Sequence, residues 1–157
     1  MEEFLITVQG FEKLKLEIDN LKDIERPKVI NQISEARDLG DLKENAEYHS
    51  AKEKQAMIEA RISDLTNKLS RAKVIDKNQL TTEKVTFGIN VELENLDNEN
   101  IVTYKIVSEY ESDIDLGYIS DKSPIARALI GKKNGDELEI RTPGGLKEYK
   151  INNIFIS

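Results

Sequence analysis

The chain has 157 residues and a net charge of −7, and it contains neither cysteine nor tryptophan. The lack of cysteine excludes disulfides and thiolate metal sites, and the acidic balance excludes binding of nucleic acid through a broad basic surface. The N-terminal segment MEEFLITVQG is acidic and has no long apolar run. We therefore expect neither a signal peptide nor a membrane span, and a cytoplasmic protein with no membrane partner.

The first half of the chain has the periodicity of a helical hairpin. One heptad seam starts at Phe11, slips between Leu21 and Val29 around Pro27, and resumes at Val29, Ile33 and Ala36; such a slip is typical of a stutter. A second seam comprises Tyr48, Ala51, Gln55, Ile58, Ile62, Leu65, Leu69 and Ala72. Because a short polar segment joins the two arms, they are predicted to be antiparallel. Residues 1–76 are thus predicted to form a coiled-coil domain with its tip at 38–47, each arm of roughly 30 residues being about 45 Å long.

The second half has the pattern of a small α+β domain over residues 84–157, after a polar linker at 77–83. Alternating apolar residues predict a strand over 85–93, and the segment IVTYKIV predicts a second over 101–107. The segment SPIARALIGK predicts one short helix, with Ser123 as its N-cap, Pro124 in its first turn and Gly131 just beyond its end. A closing hairpin is predicted around residues 143–145. Short strands with one helix indicate an α+β fold.

The tip segment GDLKENAEYH, residues 40–49, supports two interpretations. In the structural one, Gly40 ends the first arm while Asp41 and Glu44 form a capping box for the second. In the functional one, the two carboxylates contribute to a Mg²⁺ site that another macromolecule completes, since Mg²⁺ takes only one or two protein carboxylates. Lys43 and Asn45 either orient the tip or contact a partner. The spacing alone leaves these alternatives open.

Three segments carry a resemblance to a known family. EARDLGDLKENAEYHSAKEKQ, SPIARALIGK and TPGG resemble, in order and spacing, the Gre family of bacterial transcript-cleavage factors, and the likeness covers essentially the whole chain. The absence of a dense basic run near the tip favours the GreA branch over the GreB branch. The resemblance implies an antiparallel coiled coil followed by an FKBP-like α+β domain.

The resemblance also implies a function and its residues. Such a factor docks on RNA polymerase, inserts its coiled coil into the secondary channel and stimulates the polymerase's own cleavage of backtracked nascent RNA, without being an enzyme itself. Asp41 and Glu44 would be the catalytic acids, holding Mg²⁺ shared with the polymerase and not bound tightly by the isolated chain. Arg37 and Lys52 would contact the 3′ end of the nascent RNA. The implied polymerase-docking residues are Asp121, Ser123, Pro124, Ile125 and Ala126.

Three other functions are compatible with parts of this pattern. They are an inhibitor that blocks the channel without stimulating cleavage, a stand-alone nuclease and a structural coiled-coil adapter. Two exposed carboxylates lack the closed site and full metal-ligand set that a nuclease needs, and an adapter or a plug needs no acid pair. We expect a monomer, because an intramolecular hairpin buries its own seam.

Overall fold

The computed structural model describes residues 2–40 and 44–157. Within it the chain forms two compact units. The hairpin unit comprises Phe11–Arg71, and the sheet unit comprises Glu2–Gly10 together with Ala72–Ser157. None of the helices in the described residues has the length and apolar character needed to cross a membrane.

The hairpin unit is built from long helices that bury the predicted seam. Helix α1 spans Val8–Asn20, α2 spans Arg26–Arg37 and α3 spans Ala46–Arg71. The buried side chains at seam positions are Leu14, Ile18, Val29, Ile33, Ala36, Ala51, Ile58, Ile62 and Leu65. Val29 of α2 packs with Ile58 and Ile62 of α3. The heptad interpretation is confirmed for these positions.

Contacts between the arms show that they are antiparallel. Arg26 donates from Nε and from the guanidinium Nη2 to the two carboxylate oxygens of Glu59, at 2.6 and 2.8 Å. Arg61, further along α3, donates to Glu17, which lies earlier in α1, at 2.9 Å. Moving towards the N-terminus on the first arm, from Arg26 to Glu17, thus moves the contact towards the C-terminus of α3, from Glu59 to Arg61. The hydrogen bond from Arg26 lowers the pKa of Glu59.

The predicted slip in the first arm coincides with a π-helical turn over Leu21–Glu25. The Arg26 N–H donates to the carbonyl of Leu21, five residues earlier. The next residue, Pro27, has no N–H and lies in the first turn of α2. The wider turn accommodates an additional residue, so that the apolar face resumes in register at Val29.

The sheet unit contains a two-stranded and a five-stranded sheet. Strand β1, Phe4–Thr7, pairs in parallel with β2, Ala72–Ile75. The larger sheet has the order β5-β4-β3-β7-β6, in which only the β4–β5 pair is parallel. Its strands are β3 (Asn90–Asn95), β4 (Ile101–Val107), β5 (Tyr118–Ser120), β6 (Glu137–Thr142) and β7 (Gly145–Phe155). With the short helix α4, Pro124–Leu129, these strands confirm the α+β class.

One predicted strand is shorter than its pattern. The alternating residues from Val85 to Leu93 are buried, but β3 begins only at Asn90. Before that point Val85 exchanges backbone hydrogen bonds with the chain that follows α4, donating to Lys132 and accepting from Gly131, both at 2.8 Å. Gly88 then turns with a φ of 85°. The alternating apolar residues before Asn90 therefore indicate that one side of an irregular segment is buried, and they do not indicate strand pairing.

The two units divide the chain differently from the predicted bounds at 1–76, 77–83 and 84–157. Residues 2–10 and 72–75 belong to the sheet unit because β1 and β2 pair with each other. The segment assigned as linker is partly ordered. Asp76 and Gln79 form a capping box around a 3₁₀ turn at Lys77–Gln79, and Leu80 packs against the core of the sheet unit.

Candidate functional site

The connection between α2 and α3 begins with a tightened helix end. Helix α2 ends at Arg37, and the N–H groups of Asp38 and Leu39 donate back to carbonyls of its last turn. Gly40 follows with a φ of 132°, a conformation that favours glycine. Residues 41–43 lie outside the described residues, and these include Asp41, one of the two predicted catalytic acids, and Lys43.

Asn45 caps the start of α3. Its Oδ1 accepts from the N–H of Tyr48 at 3.0 Å, which is the hydrogen bond of an N-cap residue to the third helical position. The predicted capping box with Glu44 at that third position is therefore wrong, because Glu44 precedes the cap. Local spacing misplaced the helix start by several residues, since Asp-x-x-Glu and Asn-x-x-Tyr both begin with a competent cap.

Glu44 lies in the turn immediately before this cap, and its side chain is exposed. Among the described residues its carboxylate has no hydrogen-bond or salt-bridge partner, so capping or pairing within residues 2–40 and 44–157 does not account for it. The same residues contain no cluster of three or more histidines or acids that could enclose a metal ion. A single exposed carboxylate suits Mg²⁺ that takes most of its ligands from elsewhere.

The two predicted RNA-contacting residues lie on opposite arms beside this turn. Arg37 is the last residue of α2, and Lys52 lies in the second turn of α3; both are exposed. The Lys52 ammonium donates to Gln55 on its own helix at 3.2 Å. Such an exposed hydrogen bond leaves the charge accessible, so both side chains could pair with phosphate.

The second candidate surface surrounds the start of α4, which forms as predicted. The Ser123 hydroxyl accepts from the Ala126 N–H at 3.2 Å, Pro124 opens the helix, and Gly131 follows its end with a φ of 90°. Pro124 is exposed and Ile125 is half-buried. Ala126 has no exposed surface and packs in the core of the sheet unit. Its predicted contact role is corrected to a packing role, because a buried methyl group cannot touch a partner.

An apolar groove, lined by Ile114, Tyr118, Pro124, Ile125 and Pro143, continues from this helix start. Ile114 is 76% exposed and forms one contiguous apolar surface with the other residues that line the groove; such contiguous surfaces are typical of binding sites. No pattern in the sequence predicts the groove, because its lining comes from four separate segments. A continuous pattern of apolar residues would have been needed to detect it.

Asp121 lies just before this helix and is half-buried. Burial raises the pKa of its carboxyl above the usual range, an effect that the neighbouring charge of Lys122 partly offsets. Its backbone N–H donates to the Val107 carbonyl at 2.9 Å, which holds the residue at the end of the β4–β5 pair. Asp121 directly follows Ser120, which lines the groove, and perturbed carboxyl pKa values are more frequent at functional sites.

Comparison with known proteins assigns both halves of the chain. A family described as "Transcription elongation factor, N-terminal" matches residues 4–74, and "Transcription elongation factor, GreA/GreB, C-term" matches residues 80–155. The transcription elongation factor GreA of Hyphomonas neptunium is 53% identical over 151 residues, covering 96% of each chain. That of Pseudomonas aeruginosa is 53% identical over 152 residues, again covering 96% of each. Among solved structures, the GreA factor homolog 1 of Thermus thermophilus is 29% identical, with a TM-score of 0.45 over 98% of this chain and 99% of its own.

Proposed function

Since this chain belongs to the GreA/GreB family of transcription elongation factors, we propose that it acts on RNA polymerase by stimulating Mg²⁺-dependent cleavage of backtracked nascent RNA. The hairpin unit enters the secondary channel, and the chain serves as an accessory factor while the polymerase carries out the cleavage. The observation that carries the proposal is the exposed Glu44 carboxylate at the turn of a helical hairpin.

The length of the hairpin supports delivery of that carboxylate to a distant site. Helix α3 has 26 residues, which at 1.5 Å per residue makes it about 39 Å long. The buried seam packs the two arms together along this distance. A stiff hairpin can thus present its turn deep inside a narrow channel.

The turn supplies oxygen ligands and not a complete metal site. Asp41 and Glu44 would hold one Mg²⁺ whose remaining ligands come from the polymerase and the RNA. When bound there, the ion would help to form the attacking hydroxide and to stabilise charge on the scissile phosphate. The chain's own contribution is to bring two carboxylates to the ion and to hold them in position.

Other surfaces serve binding in this proposal. Arg37 and Lys52 pair with phosphates of the nascent RNA near its 3′ end. Asp121, Ser123, Pro124 and Ile125 dock on the polymerase beside the apolar groove, with Ala126 supporting them from within the core. The factor works in the cytoplasm as a monomer.

The test uses a backtracked elongation complex whose RNA is labelled at its 5′ end. Wild-type protein with Mg²⁺ is expected to shorten this RNA rapidly. Asp41→Asn and Glu44→Gln should each return cleavage to the polymerase's intrinsic rate, because an amide is a weaker metal ligand than a carboxylate. Glu47→Gln, which removes an exposed carboxylate from the first turn of α3, is the matched control and should remain active.

The alternatives predict different results. Full activity of Asp41→Asn or Glu44→Gln would contradict the role assigned to that acid. RNA that stays intact while the wild-type protein binds polymerase would identify a channel-blocking inhibitor. Cleavage of free RNA in the absence of polymerase would identify a nuclease.

A further inference from the structure

We propose that Asn45 is a positioning residue, which holds Glu44 in the orientation that cleavage requires. This inference rests on the proposed function and adds a residue to it. Asn45 joins the two helices on either side of the turn through a single side chain, and it directly follows Glu44 in the chain.

The Asn45 amide uses both of its ends. Its oxygen accepts from the Tyr48 N–H in the first turn of α3, and its nitrogen donates to the Ala36 carbonyl in the last turn of α2. The Tyr48 N–H is one that a helix start leaves without an intrahelical partner. The Ala36 carbonyl, in the last turn of α2, accepts from the Leu39 N–H at 3.1 Å as well as from Asn45. Asn45 is half-buried and Ala36 is buried, so water competes poorly for the bonds.

Helix capping alone does not explain why this residue is asparagine. Serine, threonine and aspartate cap helix N-termini about as well. Among these side chains, only the asparagine amide combines an acceptor with an N–H donor that reaches across the turn. The bond to Ala36 joins residues nine apart in sequence and so ties the start of α3 to the last turn of α2.

This link between the two helices also restrains Glu44. A planar trans peptide joins it to Asn45, with the two Cα atoms about 3.8 Å apart. Fixing Asn45 from both sides therefore fixes one end of the Glu44 backbone. Because Mg²⁺ demands ligands at 2.0–2.1 Å in near-ideal geometry, a carboxylate on a loose turn would occupy that position only part of the time.

Substitution with serine separates the two hydrogen bonds. Asn45→Ser keeps an N-cap acceptor for Tyr48 but has no amide to reach Ala36, whereas Asn45→Ala loses both bonds. Arg26→Gln is the control, because it removes an inter-helix salt bridge far from the turn. All variants are full-length and are assayed at saturating concentration on backtracked polymerase complexes, with the Mg²⁺ concentration varied.

We expect Asn45→Ser to melt close to the wild-type temperature and to bind polymerase normally. At limiting Mg²⁺ its cleavage rate should fall about tenfold, within the range that ångström-scale misplacement costs, and high Mg²⁺ should restore it. Asn45→Ala should show the same Mg²⁺ requirement together with a lower melting temperature. Arg26→Gln should keep the wild-type Mg²⁺ requirement.

Failure of the inference and failure of the proposed function would look different. If the wild-type protein stimulates cleavage and Asn45→Ser shows the same Mg²⁺ dependence as the wild-type protein, Asn45 does not position Glu44. If activity of the variants falls only with melting temperature, and the Mg²⁺ requirement is constant, Asn45 is a helix cap alone. If the wild-type protein stimulates no cleavage, the proposed function itself is overturned.

Discussion

At the scale of single residues, the Glu111 carboxylate joins separate segments of the sheet unit through several hydrogen bonds. It accepts from the N–H and hydroxyl of Ser108, at 3.1 and 2.7 Å, and from the N–H and hydroxyl of Thr7. Thr7 also caps α1 by accepting from the Gly10 N–H at 3.1 Å. One side chain thus joins β1 and the start of α1 to the turn after β4. Gly10 faces this carboxylate so closely that an added Cβ would overlap it.

We therefore expect Gly10→Ala to lower the free energy of unfolding when Glu111 is present and to raise it when Glu111 is replaced by alanine. In the wild-type background the methyl group displaces Glu111 from its hydrogen bonds, and we expect a loss of about 1–2 kcal/mol of unfolding free energy. In a Glu111→Ala background the clash is absent, and the better helix propensity of alanine should stabilise by up to about 1 kcal/mol. Denaturant unfolding of all four proteins measures both effects. The same sign in both backgrounds would contradict the overlap.

At the scale of elements, the hairpin unit depends on a narrow buried seam. The charged residues on its other faces contribute little, because exposed salt bridges are weak. Stability of the unit should therefore follow burial at heptad positions. The π-helical turn at Leu21–Glu25 belongs to this design, since it keeps the seam continuous where Pro27 interrupts the hydrogen-bond ladder.

Two leucines of the hairpin unit give a matched test of this dependence. Leu65 is 2% exposed and Leu16 is 67% exposed. Leu65→Ala should cost about 2–5 kcal/mol, because it leaves a cavity in the seam, whereas Leu16→Ala should change stability by less than about 0.5 kcal/mol. Helical circular dichroism during denaturant unfolding reports both. Equal losses would show that the seam does not dominate the stability of the hairpin.

At the scale of the whole molecule, the sheet unit is assembled from both ends of the chain. Strand β1 pairs with β2 across four residue pairs, from Phe4↔Ala72 to Thr7↔Ile75. Ile6 is fully buried, and the Phe4 ring packs against Tyr110 at a centroid distance of 5.2 Å. The N-terminal segment is thus part of the fold of the second unit, despite being separated from it in sequence by the entire hairpin.

Truncation tests this assembly. A chain that begins at Val8 loses β1, and we expect the sheet unit to lose at least about 2 kcal/mol from the exposure of apolar surface that Ile6 covers. Near-ultraviolet circular dichroism follows this unit, since Tyr104, Tyr110, Tyr118 and Tyr149 all belong to it. A chain that begins at Phe4 is the control. Unchanged melting of the chain that begins at Val8 would contradict a structural role for β1.

Local signals in the sequence were sufficient for several features. The α4 cap at Ser123 and Pro124, the strand over 101–107 and the closing hairpin follow from residues a few positions apart. The heptad seam is also a local repeat. These predictions succeeded because the interactions concerned act within a helical turn or between adjacent strands.

Family membership, the α+β class and the exposed acid at the hairpin turn were thus within reach of the sequence alone. The tertiary structure decided which residue caps α3, how Asn45 joins both arms, and that β1 pairs with β2. It also showed that Ala126 is a core residue and that an apolar groove adjoins it. The cap of α3 is a local choice between two competent cap residues, Asp41 and Asn45, that the residue types left undecided. The pairing of β1 with β2, the burial of Ala126 and the groove depend instead on contacts between segments distant in sequence, whose free energies no local pattern of residues encodes.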